Sequence, residues 1–222
     1  MYFMLIGDIV NSKKITNRVE IQQNLENVLN IINNKYNSFI EKNLTITLGD
    51  EFQGAFINFE KILEIIDLIQ ISMSPIKIRF GIGYGSLLVN NNDKNNPFNT
   101  DGEAWWNARD AIEDIKYENS VNKTEIIGSI RLRFKNKRVD MLGNEILSLL
   151  QIIKNNWTKS QKEIIKVIIE KNGLTYNIVQ KEIAGLTNKA ESTINEHIKN
   201  SYYFNYVKGI DMIKKIIKEE LE

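Results

Sequence analysis

The chain has 222 residues, 42% of them hydrophobic and 26% charged, a composition typical of a globular protein with one or two domains. It has no cysteine and one histidine, which excludes disulfides, thiolate metal sites and multi-histidine zinc centres. Any metal would have oxygen ligands, which points to Mg²⁺, Mn²⁺ or Ca²⁺. The N-terminus lacks a basic leader segment, and no apolar run approaches the roughly 20 residues of a membrane span. We therefore expect a cytoplasmic protein without membrane contact.

The charges nearly cancel, with 29 basic and 28 acidic residues and a net charge of +1. Residues 157–222 contain 11 lysines and 9 acidic residues, a surplus of only 2. DNA binding would therefore have to come from a local face of the molecule.

The first 134 residues alternate strand and helix patterns. In chain order these are an apolar strand at 2–7, an amphipathic helix at 18–42, a hairpin with strands at 45–48 and 52–57, a helix at 60–72, a strand at 76–89, a helix at 102–118 and a strand at 129–134. The order β-α-β-β-α-β predicts a ferredoxin-like unit within an α/β (α+β) fold.

Helical patterns alone fill the rest of the chain. Residues 138–156 predict a connecting helix between a domain at 1–137 and a second, all-α domain at 157–222. In the second domain, Thr158 or Ser160 is a candidate helix cap, and Asn172 with Gly173 a helix stop. Two short helices between 175 and 200 then predict a helix-turn-helix unit, with or without a wing.

Two acidic positions are expected to meet at one end of the sheet. Asp8 follows the first strand, and Asp50 and Glu51 occupy the hairpin tip beside it. Juxtaposed carboxylates raise each other's pKa unless a cation neutralises them, so we expect Mg²⁺ or Mn²⁺ bound by these acids and the backbone carbonyl of Ile9.

A basic turn follows the first strand. Ser12, Lys13 and Lys14 precede the first long helix and are predicted to contact a nucleotide's phosphates. Gly49 in the hairpin and Arg79 in the later strand are further nucleotide-binding candidates. For Arg79 and for Arg109 of the third helix, a structural salt bridge is an equal alternative to phosphate contact.

Four segments of the sequence resemble motifs of known protein families: "GDIVNS", "LGDEFQG", "RFGIGYG" and "GEAWWNARDAI". In this order they resemble the palm domains of class III nucleotidyl cyclases and diguanylate cyclases, and the whole chain looks closer still to the SatD family, which pairs such a domain with a C-terminal helix-turn-helix. The resemblance implies that Asp8 and Asp50 are metal ligands, with Glu51 instead in the diguanylate register. It also implies a nucleoside triphosphate ligand and a homodimer.

The helix motif departs from the cyclase pattern. Arg109 fits the catalytic arginine, but Trp105 stands at the purine-contacting asparagine position and Asn107 is two residues away. Two readings stay open: a nucleotidyl cyclase or transferase coupled to DNA binding, or a non-enzymatic DNA-binding regulator whose palm domain is a sensor or dimerisation platform.

Structural interpretations stand beside the functional ones. Asp8 is alternatively a helix cap, and Asp50 with Glu51 an ordinary hairpin tip. Both tryptophans of the third helix are expected to pack rather than to stack on bases. The glycines at 81, 83 and 85 are expected to allow close backbone approach, and His197 to be a surface or packing residue.

The segment "KEIAGLTNKAESTINEHIKN", 181–200, resembles helix-turn-helix sequences. Asn188 is predicted to take the left-handed turn position. The predicted DNA-binding residues are Lys181, Lys189, Ser192, Thr193, Asn195 and Lys199. Because the charge surplus is small, binding to double-stranded DNA is expected to be weak for one protomer. The alternative is a helical docking or oligomerisation module.

Overall fold

The computed structural model describes residues 1–88, 93–95, 100–122 and 128–221. In chain order its elements are β1 (Tyr2–Ile9), a 3₁₀ turn (Ser12–Lys14), α1 (Arg18–Lys35), β2 (Ile40–Leu48), β3 (Glu51–Phe56), α2 (Ile62–Ser72), β4 (Ile78–Gly85), α3 (Glu103–Asn122), β5 (Ile130–Arg133), α4 (Lys137–Asn155), α5 (Lys159–Asn172), α6 (Gln180–Thr187), α7 (Glu191–Asn200) and α8 (Tyr203–Leu221). The Asn-rich segment at 90–102, whose composition predicts a polar loop, lies mostly outside the described residues.

The strands form one sheet in the order β2-β3-β1-β4-β5. Neighbouring strands are antiparallel except β4 and β5, which are parallel and joined through α3. The first four strands and the helices α1 and α2 form the β-α-β-β-α-β unit of ferredoxin-like folds. The predicted mixed α/β fold class is thereby confirmed.

The two faces of the sheet pack differently. One face carries the main core with α1 and α2, and alternate residues such as Phe3 and Leu5 point into it. The other face holds a smaller core of Met4, Ile6 and Ala55 against α3. A Cβ at Gly81 or Gly83 would lie 2.3 Å or 2.1 Å from a carbonyl oxygen of α3, so the expected close approach at these two glycines is confirmed.

Two local predictions were wrong. α1 ends at Lys35 rather than at 42, because Ile40 begins an edge strand whose residues pair with Phe56 and Ala55. Trp106 does not pack: it is 51% exposed, since α3 turns this position away from the sheet. Trp105 is buried in the smaller core, as expected.

The C-terminal helices continue the main core. α5 packs on α2, and α8 packs on α4, so one cluster of buried side chains extends from the sheet to Ile217. Thr158 is the α5 cap in a capping box with Gln161, as predicted, and Gly173 ends this helix. α8 follows α7, and the described residues of this half contain no strand, so of the two options left open they fit the one without a wing.

No α-helix in the described ranges is long and apolar enough to cross a bilayer.

Candidate functional site

Three strands bring charged side chains into one row at an end of the sheet. Asp8 of β1 is directly opposite Glu51 of β3 on one side and Arg79 of β4 on the other. Cross-strand partners share a face, here the face covered by α3. Asp8 is therefore a strand residue rather than the helix cap considered as an alternative. The caps of the 3₁₀ turn and of α1 are Asn11 and Asn17.

Glu51 is held by Arg109 of α3. Both carboxylate oxygens accept from the guanidinium, one of them from Nη2 at 2.7 Å, in a bidentate pair. Glu51 is only 8% exposed, and its hydrogen bonds raise the pKa of Arg109. Because each oxygen already accepts a hydrogen bond from Arg109, a metal ion at Glu51 would have to share these oxygens with the guanidinium.

Asp8 is paired with Arg79, whose Nη1 donates to Oδ2 at 3.0 Å. Burial raises the pKa of Asp8, the positive charges of Lys116 and Arg79 oppose this, and the Asp50 carboxylate raises it further. The structure therefore brings Asp8 within electrostatic range of Asp50. Lys116 was missed by the sequence interpretation, although it lies two helical turns beyond Arg109 and so on the same side of α3.

The hairpin tip is tied to the start of the basic turn. Ser12 Oγ donates to Oδ2 of Asp50, and the backbone N–H of Ile9 donates to the Asp50 carbonyl at 3.0 Å. Gly49 has φ +65°, and a Cβ there would lie 2.9 Å from Nη2 of Arg18. This positive φ and the Arg18 contact explain the glycine.

Four cationic or hydroxyl groups lie beside these acids. Ser12 is buried, while Lys13, Lys14 and Arg18 are exposed and form no ion pair with other described residues. Arg18 was not predicted, because as the first residue of a long helix it has no distinguishing sequence signal. These cations can attract an anionic group to the sheet end.

Asp8 and Asp50 offer at most two carboxylates to a cation, fewer than a complete protein cage. Within the described residues, no group of three or more acidic or histidine side chains can hold a metal ion. The hydrogen bonds to Arg79 and Ser12 each use one carboxylate oxygen, which leaves one oxygen per carboxylate as a monodentate ligand. Mg²⁺ is commonly bound by one or two carboxylates, with water and substrate phosphates completing the shell.

The positions that would contact a base are engaged elsewhere. Trp105 is buried and its Nε1 donates to Thr100 at 3.0 Å. Asn107 is buried and donates to the Tyr84 carbonyl at 2.8 Å, which fastens α3 to β4. Neither side chain is free to contact a purine.

The C-terminal helices α6 and α7 are joined by residues 188–190. Asn188 ends α6 with φ 53°, which is the predicted left-handed position. Ile183, Ala184, Ile194 and Ile198 are buried and hold the two helices together.

Most of the predicted DNA-binding residues face solvent. Lys181, Ser192, Asn195 and Lys199 are exposed, while Lys189 and Thr193 are half-buried. Gln180 Nε2 donates to Asn195 Oδ1 at 3.2 Å. Glu191 and Glu196 are also exposed on α7, so this helix does not present a uniformly positive surface. His197 is half-buried, within the surface-or-packing expectation.

These features define a mixed α/β protein with a sheet in its N-terminal half and helices in its C-terminal half. A family model, the SatD family, matches residues 2–217. The chain therefore belongs to the SatD family. A search of curated proteins and a search of solved structures each gave no match.

Proposed function

We propose that the N-terminal half binds a nucleotide through Mg²⁺ or Mn²⁺ and that the C-terminal half binds double-stranded DNA. The observation that carries the first part is the electrostatic coupling of Asp8 with Asp50 and the hydrogen bond from Ser12 to Asp50, with Lys13 and Lys14 next in the same turn. Asp8 and Asp50 would hold the cation, which would supply positive charge to a nucleotide's phosphates, and Lys13 and Lys14 would balance the remaining phosphate charge.

Arg109 and Arg79 have a second role in this proposal. Each guanidinium is now paired with a carboxylate of the row. A triphosphate at this sheet end would offer both guanidiniums a new anionic partner in place of Asp8 and Glu51. The two arginines are thus held where phosphates would arrive.

Calorimetric titration with Mn²⁺, with and without ATP or GTP, tests this site. We expect Asp8→Asn and Asp50→Asn each to weaken Mn²⁺ binding by at least about tenfold, because each removes a charged ligand. Asp110→Asn, at an exposed position of α3, is the matched control and should bind like the native chain. Equal Mn²⁺ affinity in the native chain and in the variant with Asp8 and Asp50 both replaced would overturn the site.

Trp105 and Asn107 favour a second candidate function, a non-enzymatic regulator with a sensing N-terminal half. Neither residue can take the cyclase asparagine's place, because both are committed to packing and to α3 attachment. Incubating the protein with each nucleoside triphosphate and Mg²⁺ or Mn²⁺, then resolving the products, separates the two functions. A cyclic or transferred product supports the enzyme, and unchanged nucleotide with measurable binding supports the sensor.

The DNA-binding part rests on α6 and α7. The buried contacts between them and the left-handed Asn188 resemble a helix-turn-helix unit, with α7 as the recognition helix. The surplus of two positive charges in 157–222 allows few phosphate contacts. We therefore propose that a C₂ homodimer supplies two weak units that bind together.

Gel shifts of the full chain at several salt concentrations test the DNA-binding part. Lys199→Glu should weaken binding to all sequences alike, because it removes a phosphate contact, whereas Asn195→Ala should alter sequence preference. Lys215→Glu, at an exposed α8 position, is the control. Absence of any salt-dependent affinity for DNA would assign the helices to docking instead.

Light scattering tests the proposed dimer. A protein that is only monomeric across micromolar concentrations would contradict the dimer.

A further inference from the structure

A cavity of about 410 Å³ lies where the two halves of the chain meet. One wall is formed by the end of α2 and the start of β4, and the opposite wall by α4 and the start of α5. Its lining includes Gln70, Lys77, Arg79, Gln151, Lys154 and Lys162. The volume is within the range of about 300 to 1,000 Å³ that is usual for small-ligand pockets.

The lining is cationic. Lys77, Arg79, Lys154 and Lys162 contribute positive charge, and in the described part of the chain no Asp or Glu lines the cavity. Lys154 is neutralised by the fully buried Asp67, and Arg79 is paired with Asp8. Lys77 and Lys162 have no ion pair among the described residues. A cavity with surplus positive charge and no lining carboxylate favours an anionic ligand.

Arg79 supplies an independent indication. Its Nη1 donates to Asp8, but its Nε–H is buried with no hydrogen-bond partner among the described residues. A buried donor on a charged group is costly to leave unpaired, and a native structure normally satisfies it. Because Nε itself has no accessible surface, an anion in the cavity provides the missing acceptor only when the guanidinium turns toward it.

Uncharged polar groups form a chain along the same cavity. Gln70 Nε2 donates to Ser129 Oγ at 2.9 Å, and Ser129 Oγ donates to Gln151 Oε1 at 2.6 Å. Gln151 Nε2 then donates to Asn155 Oδ1 at 2.8 Å. These hydrogen bonds fix the orientation of the polar side chains next to the apolar surface of Ile71, Ile76 and Trp157. Such a mixed wall suits a ring with polar edges.

We propose that this cavity binds a phosphate monoester of about the size of a nucleoside monophosphate, without a divalent cation. Lys77, Lys162 and Arg79 hold the phosphate, and the wall of amides and apolar side chains holds the remainder. The site differs from the metal-assisted one, which lies on Asp8 and Asp50, although Arg79 contributes to both. Its ligand contacts both halves of the chain and therefore stabilises their junction.

Calorimetry on the full chain in excess EDTA tests the proposal. The probes are inorganic phosphate, ribose 5-phosphate, the four common nucleoside monophosphates and the corresponding nucleosides. We expect at least one nucleoside monophosphate to bind more tightly than inorganic phosphate, and nucleosides to bind at least about tenfold more weakly, because a charge-assisted hydrogen bond is lost. EDTA keeps the result independent of the metal site.

Two lysines on α5 give a matched comparison. Lys162→Ala should weaken monophosphate binding by about tenfold or more. Lys166→Ala should change it by less than about twofold, because Lys166 does not line the cavity and is paired with Glu170. Lys162→Gln keeps the side-chain length if the alanine variant fails to fold. No binding of any phosphate probe, or equal binding by the Lys162 and Lys166 variants, would overturn the proposal.

Discussion

Glu51 accepts two hydrogen bonds from one guanidinium, and Asp8 accepts one from another, so the sheet end contains two ion pairs of unequal exposure. Glu51 is nearly buried, whereas 43% of the Arg109 side chain remains exposed. Removing the arginine leaves a carboxylate with little access to water. The cost of such a change comes mainly from the group left behind rather than from the lost attraction.

Arg109→Ala should lower the free energy of unfolding by about 2 kcal/mol, because Glu51 loses both donors while staying largely desolvated. Urea unfolding at neutral pH measures this. Adding Glu51→Gln should recover part of the loss, since a neutral amide is cheaper to bury. If Arg109→Ala alone were as stable as the native chain, Glu51 would have to be well hydrated without Arg109.

The pH dependence of stability should contain a contribution from Asp8. Burial raises its pKa in the folded state, so between the unfolded and folded pKa values the folded protein binds more protons. This contribution to stability is full below the unfolded pKa and is lost as the pH rises through the folded one. Asp8→Asn removes it, so the variant should gain stability relative to the native chain as the pH rises above the unfolded pKa of Asp8, measured by urea unfolding in EDTA. If the stability of Asp8→Asn fell relative to the native chain as the pH rose, the raised pKa of Asp8 would be contradicted.

At the scale of elements, α3 determines where Arg109 and Lys116 lie relative to the sheet. The helix approaches β4 closely because Gly81 and Gly83 have no side chain on that face. The sequence was sufficient to predict this role for the glycines, as well as the β-α-β-β-α-β order, because both follow from local patterns. It was insufficient for the end of α1, where apolar residues of an edge strand continued the helical spacing.

Gly83→Ala should lower the free energy of unfolding by about 2 kcal/mol, because its methyl group would lie 2.1 Å from the Ala104 carbonyl oxygen and force α3 outward. Gly185→Ala is the control: a Cβ there meets nothing within 4 Å, and alanine favours the helix. That variant should be more stable by about 0.5 to 1 kcal/mol. Chemical denaturation of both variants checks the opposite signs.

Across the whole molecule, buried polar side chains join the halves. Asp67 of α2 accepts hydrogen bonds from Lys154 of α4 and from Tyr206 of α8, and burial raises the pKa of its carboxyl group. Glu64 accepts from Tyr36 at 2.8 Å and from the Leu174 backbone at 3.0 Å. Sequence inspection did not find these contacts, because they join residues up to 139 positions apart and show no local pattern.

Tyr206→Phe should lower the free energy of unfolding by about 1 to 2 kcal/mol, because buried Asp67 loses a donor while the ring keeps its packing against Trp157. Unfolding should remain a single transition, with circular dichroism and tryptophan fluorescence coincident, since one core spans both halves. Tyr202→Phe, at an exposed position, is the matched control. Two separated transitions in the native chain would contradict a shared core.

The fastening of α2 to α4 and α8 also limits how this chain can be recombined. A chimaera that kept residues 1–136 and took its helices from an unrelated protein would bury Asp67 without Lys154 and Tyr206. A graft of 137–222 alone would bury Lys154 without its acid. Either exchange leaves an uncompensated charge in the interior, at a cost of about 3 to 5 kcal/mol. The two halves can therefore be transferred to another protein only together. An engineered sensor built on one half must also include the residues of the other half that contact it.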